Sequence, residues 1–204
     1  MIDAVVFDLG GVLIDWDPRH LYRQLFADEA EMEVFLATVC TPAWHEQHDL
    51  GVDLAASCAA LASRHPEHAA LITAWADRSE EMVLGAIDGT VALLAELKAT
   101  GMRCYALSNM ERETFPLRRA RFGFIDWFDG LVISAHEGVM KPDPRIFRIL
   151  AERYGLDPAG TLFVDDRDDN VEAARQLGFA AVRFESPEAL REVLAAAQLV
   201  APAS

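Results

Sequence analysis

From residue 89 onward the chain alternates between short apolar runs rich in β-branched and aromatic residues and longer segments of helical period. Arg103-Cys104-Tyr105-Ala106-Leu107, Leu131-Val132-Ile133-Ser134, Thr161-Leu162-Phe163-Val164 and residues 180–184 read as strands. Residues 90–100, 144–154 and 168–177 read as helices closed by Gly101, Gly155 and Gly178, and Ser186-Pro187-Glu188 opens a last one before a frayed tail beyond Val200. A strand that is apolar on both sides has to be covered on both sides. The repeat therefore predicts an α/β fold, a Rossmann-like, doubly wound parallel sheet with helices on each face. Residues 4–9, built around Ala4-Val5-Val6-Phe7 and followed by Gly10-Gly11, supply one more buried strand ending in a tight loop.

Residues 17–84 break this rhythm, because no strand signal interrupts them. Asp17-Pro18 reads as an N-cap and first helical position, Asp28 with Glu31 as a capping box, and residues 52–63 and 66–83 as two further amphipathic helices. About four helices suffice for a small bundle. The expected division is an α/β core formed by residues 1–14 and 86–204, with a helical insertion over residues 15–85.

Charge narrows the function. With 33 Asp and Glu against 18 Lys and Arg, the net charge of −15 repels phosphate backbones and anionic membrane surfaces and attracts cations. Neither nucleic acid nor membrane is expected as a partner, and an anionic substrate needs locally placed positive groups. The odd set Cys40, Cys58 and Cys104 fits neither a disulfide framework nor a zinc ribbon. Together with the absence of a basic leader or a membrane-length apolar run, it suggests a cytoplasmic protein with reduced thiols.

In such a sheet the ligand site lies beyond the carboxyl ends of the strands. Asp8, Ser108-Asn109, Ser134 with Lys141 downstream, and Asp165-Asp166 all fall there, around one crevice. Asp8 before two glycines is either a turn former or a carboxylate beside backbone that a phosphate or metal can approach closely. The adjacent Asp165 and Asp166 repel each other unless a cation neutralises them. Lys141, in a loop stiffened by Pro142 and Pro144, is suited to clamping a phosphoryl group. Ser108-Asn109 offers a hydroxyl, an amide and backbone N–H groups, as an anion site or a capping turn does.

In order and placement these residues resemble the four motifs of the haloacid dehalogenase superfamily, with Asp8 in the first, Ser108 in the second, Lys141 in the third, and Asp165, Asp166 and Asn170 in the fourth. The helical insertion stands where that superfamily carries a small cap. The resemblance implies a Mg²⁺-dependent phosphatase working through a phospho-aspartyl intermediate on a small phosphorylated molecule, as a monomer or homodimer. It implies Asp8 as nucleophile, Ser108 and Lys141 binding the transferring oxygens, Asn109 supporting their loop, and Asp165 orienting Lys141 or water. It also implies a metal held by Asp8, the Gly10 carbonyl and Asp166.

One position departs from the pattern. Most superfamily phosphatases place a second aspartate, the general acid and base, where this chain has Gly10. Loss of a positioned acid typically costs about 10²- to 10⁴-fold when the leaving group needs a proton. The departure favours an easily expelled leaving group, and the opening of the chain resembles that of relatives acting on sugar 1-phosphates. Asp15, Asp17, Glu46, His48 and Asp49 are candidate substitutes. The segment from Trp44 to Gly51 clusters an aromatic with titratable groups, so Trp44 and His48 are expected to face substrate as part of a specificity loop. Two other readings remain: a 2-haloacid dehalogenase using the same Asp8, and a weakly active protein that binds a phosphorylated ligand. Asp166, Asp168 and Asn170 do not open a calcium loop, since Val171 and Leu177 stand where its glycine and glutamate would be, and His65, His68 and His136 lack ligand spacing.

Overall fold

The computed structural model describes residues 1–202. Its strands are β1 (Ala4–Phe7), β2 (Ile14–Trp16), β3 (Val83–Ala86), β4 (Arg103–Ser108), β5 (Gly130–Ile133), β6 (Thr161–Asp165) and β7 (Ala180–Arg183). Five of them form one sheet in the order β5-β4-β1-β6-β7, every pair parallel. The chain builds outward from β1 to β4 and β5, then returns to β1's other side for β6 and β7, so the strand order reverses at β1. That reversal opens a crevice at the carboxyl ends of β1, β4 and β6.

Helices α1 (Pro18–Tyr22), α2 (Glu29–Thr38), α3 (Pro42–Asp49), α4 (Leu54–Arg64) and α5 (Ala69–Asp77) lie between β2 and β3. Helices α6 (Asp88–Ala99), α7 (Phe115–Arg121), α8 (Ser134–Glu137), α9 (Pro144–Tyr154), α10 (Asp168–Gln176) and α11 (Pro187–Ala196) follow. Strand alternation sends Val5 and Phe7 to one face, against Leu93, Leu94 and Leu97 of α6 and Leu190 and Leu194 of α11. Ala4 and Val6 go to the other face, against Ile146, Phe147 and Leu150 of α9. The inserted helices have an apolar cluster of their own, including Tyr22, Phe35, Leu61, Ile72 and Trp75.

Local chemistry explains several boundaries. Asp17 accepts from the Arg19 N–H and Asp28 from the Glu31 N–H, so both expected caps form. Three expectations need correction. The stretch over residues 17–84 is entered and left through strands: β2 pairs antiparallel with β3, and Val83, read as the end of a helix, begins β3. A three-residue strand carries too little periodicity to be heard in sequence. The segment around Trp44 is helix α3, capped by Thr41, rather than a loop. Ser134, read as a strand end facing the crevice, starts α8 fully buried, where its Oγ accepts from the Met110 N–H.

Candidate active site

Asp8, Asn109, Asp165 and Asp166 stand at or just past the ends of β1, β4 and β6. The N–H of Asp8, just past β1, donates to Val164 O of β6, and Asp8 Oδ1 accepts from the Leu9 N–H at 2.7 Å, which turns the carboxylate back over its own loop. Lys141 arrives from the loop before α9, with Nζ 2.8 Å from Asp8 Oδ2 and 2.6 Å from Asp165 Oδ2. Its ammonium also sits 5.6 Å from the centre of the Phe163 ring. The loop is held by Asn109: its Oδ1 accepts from the Lys141 N–H and its Nδ2 donates to Lys141 O, both at 2.9 Å. Asp165 is engaged through both oxygens: Oδ1 accepts from the Arg167 N–H and from Asn170 Nδ2 while Oδ2 holds Lys141.

The electrostatics follow from three carboxylates facing one ammonium. Burial pushes Asp8 up to about 7; Lys141 pulls it down, and Asp165 and Asp166 raise it further. A close ion pair and a raised carboxyl are compatible here because burial and the two neighbouring aspartates together outweigh the pull of Lys141. Burial lowers Lys141, but Asp165 and Asp8 together outweigh it and hold the ammonium above its ordinary range. Asp166 is raised too, by burial and by Asp165.

Among the described residues no other side chain donates a hydrogen bond to the Asp166 carboxylate, yet Asp8, Asp165 and Asp166 each present an oxygen within 4.8 Å of the others. This hard-oxygen donor set suits Mg²⁺. Gly11 makes room for it. With φ at +70°, a Cβ there would lie 2.5 Å from Asp166 Oδ2, whereas a Cβ on Gly10 would meet nothing within 4 Å.

Above the strand ends lies a cavity of about 650 Å³, walled by the sheet loops on one side and the inserted helices on the other. Asp8, Gly10, Asn109 and Asp166 line it; Ser108, Lys141 and Asp165 sit just behind, nearly inaccessible. Ser108 Oγ has only a 3.5 Å contact to Asn109 O. Trp44 and His48 do not line the cavity, and the expectation that they face substrate is corrected. They stand one turn apart on α3 and are buried, Trp44 among the apolar residues of the insertion, whereas His45, Glu46 and Asp49 occupy the face toward the cavity.

Sequence reasoning also missed Glu111, three residues beyond Ser108, and Arg118, whose guanidinium pairs with Glu80 and donates to Ser79 O at 3.3 Å, bridging α7 to the end of the insertion. Arg118 carried no local signal.

A sequence-family model described as hydrolase, haloacid dehalogenase-like hydrolase, matches residues 2–178. A sesquiterpene phosphatase of Aspergillus oryzae is 30% identical over 182 residues, 89% of either chain, and a fructose-1-phosphate phosphatase of Escherichia coli is 23% identical over 88% of this chain and 94% of its own. A HAD family enzyme of Bacteroides thetaiotaomicron, crystallised with magnesium and inorganic phosphate, superposes with a TM-score of 0.67 at 21% identity, over 91% of this chain and 96% of that one. The chain belongs to the haloacid dehalogenase-like hydrolase family.

Proposed function

We propose that the chain is a Mg²⁺-dependent phosphatase that hydrolyses a small phosphomonoester through a phospho-aspartyl intermediate. The observation that carries this reading is the Asp8–Lys141–Asp165 cluster with Asp166 beside it, a half-buried carboxylate that among the described residues has no side-chain partner. The curated phosphatase relatives support it. Asp8, the Gly10 carbonyl and Asp166 would hold the metal, which when bound supplies positive charge between a nucleophilic carboxylate and an anionic substrate. The other roles belong to this chain's residues. Asp8 attacks phosphorus and the ester oxygen departs; water then attacks the acyl phosphate, freeing phosphate and Asp8. Lys141 and Ser108 stabilise the transferring oxygens, Asp165 holds Lys141 charged, and Asn109 fixes its loop. The insertion, residues 15–85, acts as a cap that excludes bulk water and selects substrate.

Gly10 favours an easily expelled leaving group, which is the argument for a sugar 1-phosphate. A second reading of the organic moiety rests on the cavity lining: Trp16, Leu36, Cys40 and Trp75 form an apolar wall, which suits a hydrocarbon group like that named for the Aspergillus relative. Halide displacement from a 2-haloacid needs no metal and leaves Asp166 without a task.

The test measures phosphate release from p-nitrophenyl phosphate with Mg²⁺ or with EDTA, for the parent and Asp8→Asn. Release abolished by EDTA and by the substitution is expected. Metal-independent chloride release from a 2-chloro acid, or phosphate release that survives Asp8→Asn, overturns the reading.

A further inference from the structure

Expelling an alkoxide from a phosphomonoester is slow unless a proton reaches the departing oxygen. Gly10 supplies none and leaves open space around the position its Cβ would take. Another group facing the cavity therefore has to do so if the enzyme takes ordinary alcohols. The candidates can be sorted by what already occupies them. Asp15 pairs with His20 at 2.9 Å and does not line the cavity. Asp17 caps α1 and pairs with Arg19 at 3.3 Å. Glu46 faces Arg167 at 3.7 Å, and His48 does not line the cavity. Glu111 accepts from the Thr114 hydroxyl at 2.6 Å.

Asp49 is different. It ends α3, lines the same cavity as Asp8, is 6% exposed, and among the described residues its carboxyl has no hydrogen-bond partner. It faces His45, whose Nε2 lies 3.8 Å from Asp49 Oδ2 and whose Nδ1 lies 3.6 Å from Glu111 Oε1. His45 is itself fixed by stacking on Trp16, ring centres 5.1 Å apart. A helix of the insertion, a core loop and β2 thus converge on one carboxyl group with nothing to bind except what enters the cavity.

We propose that Asp49 is the proton donor to the leaving oxygen, taking the place of the aspartate missing at Gly10, with His45 as its positioning residue. The inference rests on the phosphatase reading and extends it to esters of ordinary alcohols. As Asp8 forms its bond to phosphorus and the ester P–O bond breaks, the Asp49 proton passes to the departing oxygen, giving a neutral alcohol. The Asp49 carboxylate then takes a proton from the water that attacks the phospho-aspartate, which returns both aspartates to their starting forms. Burial, then Glu111, Asp8 and Glu46, raise the Asp49 carboxyl well above the usual carboxylate range, against a smaller pull from Lys141. Burial lowers the adjacent His45, against the opposing pull of Glu111 and Glu46, which makes it a weaker acceptor for that proton.

The experiment compares two substrates that differ in their need for a proton: p-nitrophenyl phosphate, whose phenolate leaves unaided, and benzyl phosphate, whose alkoxide does not. Each is assayed with Mg²⁺ for the parent, Asp49→Asn, and Asp49→Asn combined with Gly10→Asp. Asp49→Asn is expected to lower kcat on benzyl phosphate about 10²-fold more than on p-nitrophenyl phosphate. It should also remove the alkaline limb of the benzyl phosphate pH profile, and Gly10→Asp should restore turnover. Equal losses on both substrates in a chain that still melts cooperatively, or a parent that cleaves p-nitrophenyl phosphate but not benzyl phosphate, overturn the assignment while leaving the phosphatase reading intact. A parent inactive on both overturns the two together.

Discussion

His48 is fully buried on α3, with neither ring nitrogen hydrogen-bonded among the described residues, and Trp44 packs against it at right angles with ring centres 4.6 Å apart. Burial, helped by the nearby His45, lowers it from 6.5 to about 4, so the folded chain keeps it neutral where an unfolded chain would already have bound a proton. For a base depressed by folding, its contribution is complete above the unfolded value and is lost as pH falls toward the folded one. His48→Leu removes that liability and two unsatisfied polar atoms, each costing about 1–3 kcal/mol. The variant is expected to melt above the parent at pH 7.5, by a margin that widens at pH 5. Paired thermal melts at the two pH values check this, and a margin that stays constant or narrows on acidification counts against a buried neutral imidazole.

At the scale of elements, the loop before α9 reaches the crevice because Asn109, just past β4, holds the Lys141 peptide from both sides. Those two bonds tie the residue just past β4 to the loop that follows its direct neighbour β5 and α8. Asn109→Ala is expected to cost about 1–3 kcal/mol, two hydrogen bonds at about 0.5–1.5 kcal/mol each. It should lower kcat on p-nitrophenyl phosphate more than it raises KM, since Lys141 loses its aim at Asp8 rather than a contact with the leaving group. Urea unfolding read alongside steady-state kinetics tests it, and an unchanged kcat with lowered stability would make the clamp purely structural. Helix α3 carries the same lesson in reverse. Its residues were visible as a titratable cluster, but which of them meets the cavity depends on the roll of the helix. Trp44 and His48 take one face, and His45, Glu46 and Asp49 take the other.

At the scale of the molecule, β2 and β3 tie the two ends of the insertion together, with Trp16 opposite Val83. The helices between them have an apolar cluster separate from the two that clothe the sheet. Residues 17–82 can therefore be replaced by an Asn-Gly turn closing β2 directly onto β3, a connection that two antiparallel strands accept. The shortened chain is expected to retain the cooperative melt of an α/β core and to bind Mg²⁺. It should lose discrimination among phosphomonoesters, because one wall of the 650 Å³ cavity goes with the insertion. Relative kcat/KM across substrates of increasing size measures the effect. A truncated chain that keeps the parent's preferences would place specificity in the core loops instead.

The five strands of the parallel sheet and the motif residues at their ends were legible in the sequence, because buried strands and helix caps are written in contiguous residues, whereas β2 and β3 were not. Asp8, Lys141, Asp165 and Asp166 could be grouped before any coordinates, since one fold rule sends the ends of parallel strands to the same edge. What only the tertiary structure decided is which groups share a surface without sharing a segment: Asn109 clamping Lys141, Arg118 reaching back to Glu80, and Asp49 rather than His48 turned toward Asp8's cavity. Those relations depend on how a helix is rolled and where a loop is pinned. Both are set by packing between distant parts of the chain, and periodicity along the sequence does not encode them.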